Sequence, residues 1–216
     1  EICACLVGSE MCIRDSLNTM ELKTLSNKHL QYKAAGLEEA YHLVYYIPQG
    51  DTTTWTARVA RFKNRADEED FQLIKSMTIE AFVNSRLTFD YVIRVLGHNE
   101  TVPLKSAKIR EYVYDIASAI GAKYLPQLLN KTRSTAALHT LPTLLDRQKE
   151  MKNVFFIKNR DENLNNKNIL IIDDITTSCT TVAEMVRTIK AEWPDAKCYL
   201  FCLARTNHEM NANVNL

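Results

Sequence analysis

Residues 168–181 read Asn-Ile-Leu-Ile-Ile-Asp-Asp-Ile-Thr-Thr-Ser-Cys-Thr-Thr, and they predict a strand followed by a polar loop. The run from Ile169 to Ile172 contains only isoleucine and leucine, which is typical of a strand buried on both faces of a parallel sheet. Two adjacent carboxylates, Asp173 and Asp174, end this run, and a loop rich in hydroxyl side chains follows. The segment therefore predicts an α/β fold with polar groups at the carboxyl end of a central strand.

A helix is predicted directly after the loop. Val182, Met185, Val186 and Ile189 recur at helical spacing, and Thr181-x-x-Glu184 fits a capping box, so we expect the helix to begin at Thr181. The free N–H groups and the dipole of a helix N-terminus suit an anion, and hydroxyl side chains add donors. The adjacent carboxylates can accept hydrogen bonds from a vicinal diol. Together these features predict a site for a sugar phosphate, although a polar turn of no special function is the alternative.

The residues from Ile171 to Thr181 resemble the 5-phosphoribosyl-1-pyrophosphate (PRPP) motif of type I phosphoribosyltransferases. The resemblance implies a catalytic role for Asp173 and Asp174, which would hold the ribose hydroxyls directly or through a Mg²⁺ ion. It also implies that PRPP is bound by Asp173, Asp174, Thr176, Thr177, Ser178, Cys179, Thr180 and Thr181. Cys179 stands where the family has glycine, so we expect its Cβ to crowd the phosphate or to strain a positive φ.

Several other segments resemble the ComF (competence protein F) branch of that family. They are Arg61-Phe-Lys63, Asp90-Tyr-Val-Ile-Arg-Val-Leu96, Lys131-Thr-Arg-Ser-Thr135, the pair Arg147 and Asn153, and Leu203-Ala-Arg-Thr206. Arg94-Val-Leu96 departs from the Pro-Val-Pro of that branch, and Leu138 stands where the branch has glutamine. Both departures lie on the pyrophosphate and acceptor sides, so the acceptor and turnover itself are in question.

Four residues are candidates for the pyrophosphate side of the site: Gly97, His98, Lys131 and Arg133. Gly97 to Asn99 follow a predicted strand, and they form either a pyrophosphate loop or a plain turn. His98 is either an acid–base group or a surface residue. Lys131 and Arg133 either close over the pyrophosphate or form a solvated basic patch. For Cys179, a nucleophilic thiolate is a further option, because a helix N-terminus lowers a thiol pKa.

Composition bounds the class of protein. The 216 residues are 46% hydrophobic and 25% charged with a net charge of +1, which is typical of a soluble globular protein and predicts neither a membrane partner nor strong nucleic-acid binding. None of the five glycines forms G-x-G-x-x-G or a Walker loop. The six cysteines lack the paired spacing of a zinc site, so reduced thiols and a cytoplasmic location are expected.

The order of predicted strands and helices indicates an α/β fold, with a mainly parallel sheet flanked by helices and a small N-terminal β-containing region. We expect residues 1–19 to be a non-native or disordered leader, 20–66 the N-terminal region, 67–206 the phosphoribosyltransferase-like domain and 207–216 a frayed tail. Residues 52–62 are predicted as either a strand or a short helix, and residues 130–152 as a polar excursion that contains a helix.

The resemblance implies an enzyme that transfers a phosphoribosyl group from PRPP to a small nitrogen acceptor, with release of pyrophosphate. One alternative is a catalytically inactive PRPP- or nucleotide-binding regulatory protein of the same fold. The other is a competence protein that acts in DNA uptake, which the near-zero net charge disfavours. The sequence leaves the acceptor and the pathway open, and a homodimer is one option for the assembly.

Overall fold

The computed structural model describes residues 20–26, 31–48, 55–64, 67–107 and 109–206. The predicted leader and tail lie outside these residues. Within them the strands are β1 Lys23–Thr24, β2 Leu37–Tyr46, β3 Tyr91–Arg94, β4 Lys123–Tyr124, β5 Leu129–Lys131, β6 Phe155–Ile157, β7 Asn168–Thr176 and β8 Lys197–Thr206. The α-helices are α1 Trp55–Asn64, α2 Glu68–Ser85, α3 Ile109–Ala119, α4 Leu144–Met151 and α5 Thr180–Glu192, and a 3₁₀ turn spans Leu138–Thr140.

The central sheet is mainly parallel, which confirms the predicted fold class. Its strand order is β1-β2-β8-β7-β3-β4, and β1 alone among these described strands runs antiparallel to its neighbour. The strand β2, which was predicted as part of a small N-terminal region packed on the main domain, pairs with β8 inside this sheet. The division of the chain at residue 66 is not tested and stays a prediction.

Helices cover both faces of the sheet. Ile169 and Ile171 of β7 belong to a core formed with α5 and with the end of α4. Leu170 and Ile172, on the opposite face, belong to a second core formed with α1, α2 and α3. All four side chains are fully buried, as the unbroken apolar run predicts for a strand between two helical layers.

The strands β3 and β7 lie side by side, and the chain leaves them in opposite directions. After β3 it passes through α3, which packs in the second core, to the edge strand β4. After β7 it passes through α5, on the other face, to β8. In an open parallel sheet, such a divergence leaves a crevice beyond the carboxyl ends of the two strands, where ligands bind. The loops after Arg94 and after Thr176 both open at this edge.

The segment between β4 and β7 forms a separate covering layer. The strands β5 and β6 pair antiparallel, and the 3₁₀ turn and α4 lie between them in sequence. This segment, residues 125–157, is called the insertion below. Its base is fastened to the loop after β3, since the Lys131 N–H donates to the Thr101 carbonyl at 2.8 Å and the Thr135 N–H to the His98 carbonyl at 3.0 Å.

Three local predictions differ from the structure or are settled by it. Residues 55–64 are helical, which decides between strand and helix for the part of 52–62 that is described. The strand β7 continues through both acids to Thr176, because β8 pairs with it up to that residue. The helix α5 begins at Thr180, and the predicted capping box is wrong: the Glu184 carboxylate accepts from the Asn153 N–H at 2.7 Å and from Arg187 instead.

Within the described part of the chain, no helix is both long and apolar enough to cross a membrane.

Candidate functional site

A cleft of about 720 Å³ lies where β3 and β7 end, with the insertion on its far side. Residues from the loop after β3, from β7 and its loop, from α1 and from the insertion line it. The polar members are Tyr46, Lys63, Asn64, His98, Lys131, Thr135, His139, Arg147, Asp173, Thr176, Thr177, Ser178, Thr180, Thr181 and Thr206, and Cys179 is also part of the wall. The structure thus brings nine of the twelve predicted site residues together in this wall, and the other three, Asp174, Gly97 and Arg133, are not part of it.

The two adjacent carboxylates are not equivalent. Side chains alternate along a strand, so Asp173 points to the α4–α5 face and Asp174 to the face that carries α1. Asp173 lines the cleft. The Asp174 carboxylate lies 3.1 Å from the Lys63 ammonium at the end of α1. Burial and repulsion from Asp174 raise the pKa of Asp173 above the usual range for an aspartate, and this repulsion is the kind that a bound cation or diol relieves.

Lys63 is the functional candidate that the residue pattern did not assign to the site. Burial lowers the pKa of Lys63, but attraction to Asp174 and Asp173 outweighs that effect, and the net result is a raised pKa. Its side chain stays half-exposed and also lines the cleft. A signal was present: Lys63 lies in the last turn of an amphipathic helix whose Val59 and Phe62 are buried, and that turn ends beside the acidic strand.

The loop from Thr177 to Cys179 connects β7 to α5, which begins at Thr180. The hydroxyl of Thr177 bonds to that of Thr206 at 3.0 Å, and the hydroxyl of Ser178 bonds to that of Thr180 at 2.9 Å. These contacts fix the loop against the end of β8 and against the first turn of α5. The first N–H groups of any α-helix lack acceptors within the helix, so this end of α5 offers donors to an anion in the cleft.

Cys179 occupies the turn position that glycine usually fills. It is the N-cap residue of α5 with φ 55° and ψ 12°, in the left-handed region, and its side chain makes no capping hydrogen bond. The expected strain at positive φ is confirmed. The side chain is only 4% exposed, and burial raises the pKa of the thiol to about 11. This direction is opposite to the one that a low-pKa thiolate needs, and burial is its largest cause.

The structure separates the two basic candidates. Lys131 is buried in the cleft wall, and its ammonium donates to the Gly97 carbonyl at 2.8 Å. Loss of hydration lowers the pKa of Lys131 to about 8. Arg133 instead pairs with Glu150 at 2.7 Å, with a half-exposed side chain. The strand β5 ends at Lys131, so Arg133 lies beyond the paired residues and its side chain does not follow that of Lys131. Of the two, the position of Lys131 is the one that suits an anion in the cleft.

Gly97 and His98 belong to a loop that is held by a buried ion pair. Arg94 at the end of β3 donates to Glu100 at 2.8 Å, and Glu100 also accepts from the Gly97 N–H at 2.7 Å and from the Leu104 N–H at 3.1 Å. The loop is thereby closed on itself, with the exposed side chain of His98 at the rim of the cleft. An arginine at the end of an apolar strand run was the sequence signal for this buried pair.

Comparisons with known proteins give a slight likeness in structure. Neither the family models nor the curated proteins gave a match. One similar solved structure is a hypoxanthine phosphoribosyltransferase from Staphylococcus aureus, at 14% identity and a TM-score of 0.38, covering 68% of this chain and 72% of that chain. Another is the hypoxanthine-guanine phosphoribosyl transferase of L. donovani, at 15% identity and a TM-score of 0.33, covering 70% and 68%. Both neighbours are phosphoribosyltransferases.

Proposed function

We propose that this protein binds PRPP with Mg²⁺ and transfers its phosphoribosyl group to a nitrogen acceptor, as a phosphoribosyltransferase of the ComF-like kind. The observation that carries the proposal is the left-handed residue at the start of α5: the loop before it and the first turn after it, residues 177–181, line the same cleft as Asp173 and Lys131. One cleft thus gathers an anion-binding helix end, a diol-accepting carboxylate and a buried cation. PRPP carries a 5′-phosphate, a ribose diol and a pyrophosphate, which are the three matching groups.

Each group of the chain has a separate task in this proposal. The N–H and hydroxyl groups of residues 177–181 bind the 5′-phosphate. Asp173 accepts hydrogen bonds from the ribose hydroxyls, and Lys131 faces the pyrophosphate. The acceptor enters from the insertion side. Since the reaction passes through a state that resembles an oxocarbenium ion, positioning and charge stabilisation supply the rate without a protein nucleophile. The raised pKa of the buried Cys179 thiol is in keeping with this.

The residues present fit a Mg²⁺ ion. Among the described residues, no group of three or more histidine, cysteine, aspartate or glutamate side chains could hold a metal. Mg²⁺ is usually bound by one or two carboxylates together with phosphate oxygens and water, so Asp173 with the substrate's own oxygens would be sufficient. When bound, the ion would neutralise charge on the departing pyrophosphate.

A second function is favoured by one observation: a protein that binds PRPP without turnover. The Cβ of Cys179 occupies the turn at the phosphate-facing end of α5, and its buried thiol bonds to Thr176 at 3.7 Å. A side chain at this position takes room that glycine would leave to the backbone around the phosphate. Magnesium-dependent binding of PRPP with no release of pyrophosphate in the presence of acceptors would identify this function.

The test is calorimetric titration of PRPP, with and without Mg²⁺. We expect binding that depends on Mg²⁺ and that Asp173→Asn weakens about tenfold or more, because a hydrogen bond to a charged group contributes about 1.5–3 kcal/mol. Asp195→Asn, at an exposed position outside the cleft, is the matched control and should bind as the wild type does. A folded wild type that does not bind PRPP would overturn the proposal.

A further inference from the structure

We propose that the acceptor carries a carboxylate, which the Arg147 guanidinium receives. This inference rests on the proposed function and adds the class of its second substrate. Arg147 lies on α4 in the insertion and lines the cleft from the side opposite the sheet. It was singled out in the sequence only as one member of a spaced pair.

Arg147 is held in place but has no carboxylate partner among the described residues. Its Nε and Nη2 atoms both donate to the Leu141 carbonyl, at 3.2 and 3.1 Å, and its side chain is partly buried. A guanidinium has five N–H donors, so the edge formed by Nη1 and the second N–H of Nη2 is left for another acceptor. That edge matches the two oxygens of a carboxylate.

Two other arginines of this protein are neutralised by a glutamate. Arg133 pairs with Glu150 at 2.7 Å, and Arg187 pairs with Glu184 at 2.6 Å. Both of these guanidinium groups thus form ion pairs within the chain. Arg147 is anchored by a neutral carbonyl instead, so its charge is still available to an anion that enters the cleft.

Among the charged side chains of the cleft, Arg147 is the one that remains to bind the acceptor. The charged residues that line the cleft are Lys63, Lys131, Arg147 and Asp173. Lys63 is neutralised by Asp174 at 3.1 Å, and Lys131 belongs to the pyrophosphate in the proposed function. Asp173 is assigned to the ribose. The Arg147 guanidinium is therefore the cation of the cleft that is assigned no anion from the protein or from PRPP.

Part of the cleft wall is apolar. Leu138, Met151 and the alanines at 136 and 137 come from the same insertion as Arg147, and Leu96 lines the cleft from the loop after β3. Such a wall suits a flat ring, whereas Arg147 suits an acidic substituent on it. The class of acceptor is therefore a nitrogen heterocycle or an aromatic amine that bears a carboxylate.

The reaction balances without a further reagent. The acceptor nitrogen forms a bond to the anomeric carbon, the bond from that carbon to the pyrophosphate oxygen breaks, and its electron pair leaves with pyrophosphate. The proton of the acceptor nitrogen passes to solvent. The carboxylate stays unchanged and serves for binding alone.

The experiment compares matched pairs of probes on protein loaded with PRPP and Mg²⁺. The pairs are nicotinate with nicotinamide, orotate with uracil, and anthranilate with aniline. Binding is measured by calorimetry and turnover by pyrophosphate release. We expect at least one carboxylated probe to bind about tenfold more tightly than its neutral partner, since a hydrogen-bonded charge contributes about 1.5–3 kcal/mol.

Variants connect that preference to Arg147. Arg147→Gln should remove the preference for the carboxylated probe and leave the Kd of PRPP within about twofold of the wild-type value. Arg147→Lys should retain part of the preference, since lysine keeps the positive charge but not the two parallel N–H donors of the guanidinium. Lys149→Gln, an exposed change on the same helix, is the control and should alter neither value. Circular dichroism verifies that each variant is folded.

The outcomes separate this inference from the proposed function. If PRPP binds but no carboxylated probe does, or if the neutral partners bind equally well, the inference is overturned and the proposed function stands. Retention of the preference in Arg147→Gln also overturns it. If PRPP itself does not bind, the proposed function has failed, and the identity of the acceptor falls with it.

Discussion

Replacing Cys179 by glycine and by alanine measures the strain at the start of α5. Both substitutions remove the sulfur, so the loss of its buried contact with Thr176 is common to both. At φ 55° and ψ 12° an L-residue is disfavoured by roughly 1–2 kcal/mol, and glycine avoids this penalty. The glycine variant is in turn destabilised by about 0.5–1 kcal/mol relative to alanine, because its unfolded chain has more conformational freedom to lose on folding. We therefore expect Cys179→Gly to be more stable than Cys179→Ala by about 0.5–1 kcal/mol.

The assay is urea denaturation of the two variants, followed by circular dichroism at one pH. In an ordinary helix interior, alanine is the more stable of the two by about 1 kcal/mol, so the expected order is reversed and cannot arise from helix propensity. An alanine variant that is equal to or more stable than the glycine variant would refute a left-handed backbone at this position. The same pair bears on function: Cys179→Gly should bind PRPP more tightly than the wild type if the Cβ crowds the phosphate.

Further predictions concern the charged residues around the cleft. The folded-state pKa of Lys131, about 8, lies below its unfolded value of 10.5, so the unfolded state binds more protons between these two pH values. In urea titrations the free energy of unfolding should therefore rise over this range, by at most about 1.4 kcal/mol per pH unit. Lys131→Met should lack this rise. Glu100→Gln should lower the free energy of unfolding by about 3 kcal/mol, because it leaves the buried Arg94 without a countercharge, and a loss below about 1 kcal/mol would contradict a buried pair. Lys63→Met should cost only about 0.5 kcal/mol, because its pair with Asp174 is half-exposed, and Lys63→Arg should restore the wild-type midpoint of urea denaturation.

Local sequence predicted the central features of the fold and of the cleft. The apolar run of residues 169–172 predicted a strand buried on both faces, and the acids and hydroxyls after it predicted a polar strand end. The position of Cys179 predicted backbone strain. These features depend on residues that are close together in the chain, so pattern and spacing were sufficient to find them.

Features that depend on distant partners could not be predicted. Glu184 fits a capping box, but the N–H of Asn153, far away in sequence, holds its carboxylate instead. The strand β7 passes through its two acids because β8 supplies hydrogen-bond partners on that side. Lys131 and Arg133 have the same type of charge, and only the fold shows that one faces the cleft and the other meets Glu150. In each case a tertiary contact overrides the local signal.

The central position of β8 bears on how the chain acquires its structure during synthesis. This strand, the last of the described elements, lies between β2 and β7 and pairs with both. Until it has left the ribosome, β2 and β7 each expose an unpaired apolar edge, and such edges recruit other chains. Folding must also bring Leu37 to Cys198 across most of the sequence, a separation that slows the search. Nascent chains that stop before residue 197 should therefore aggregate and depend on chaperones, whereas chains that include residues 197–206 should close the sheet.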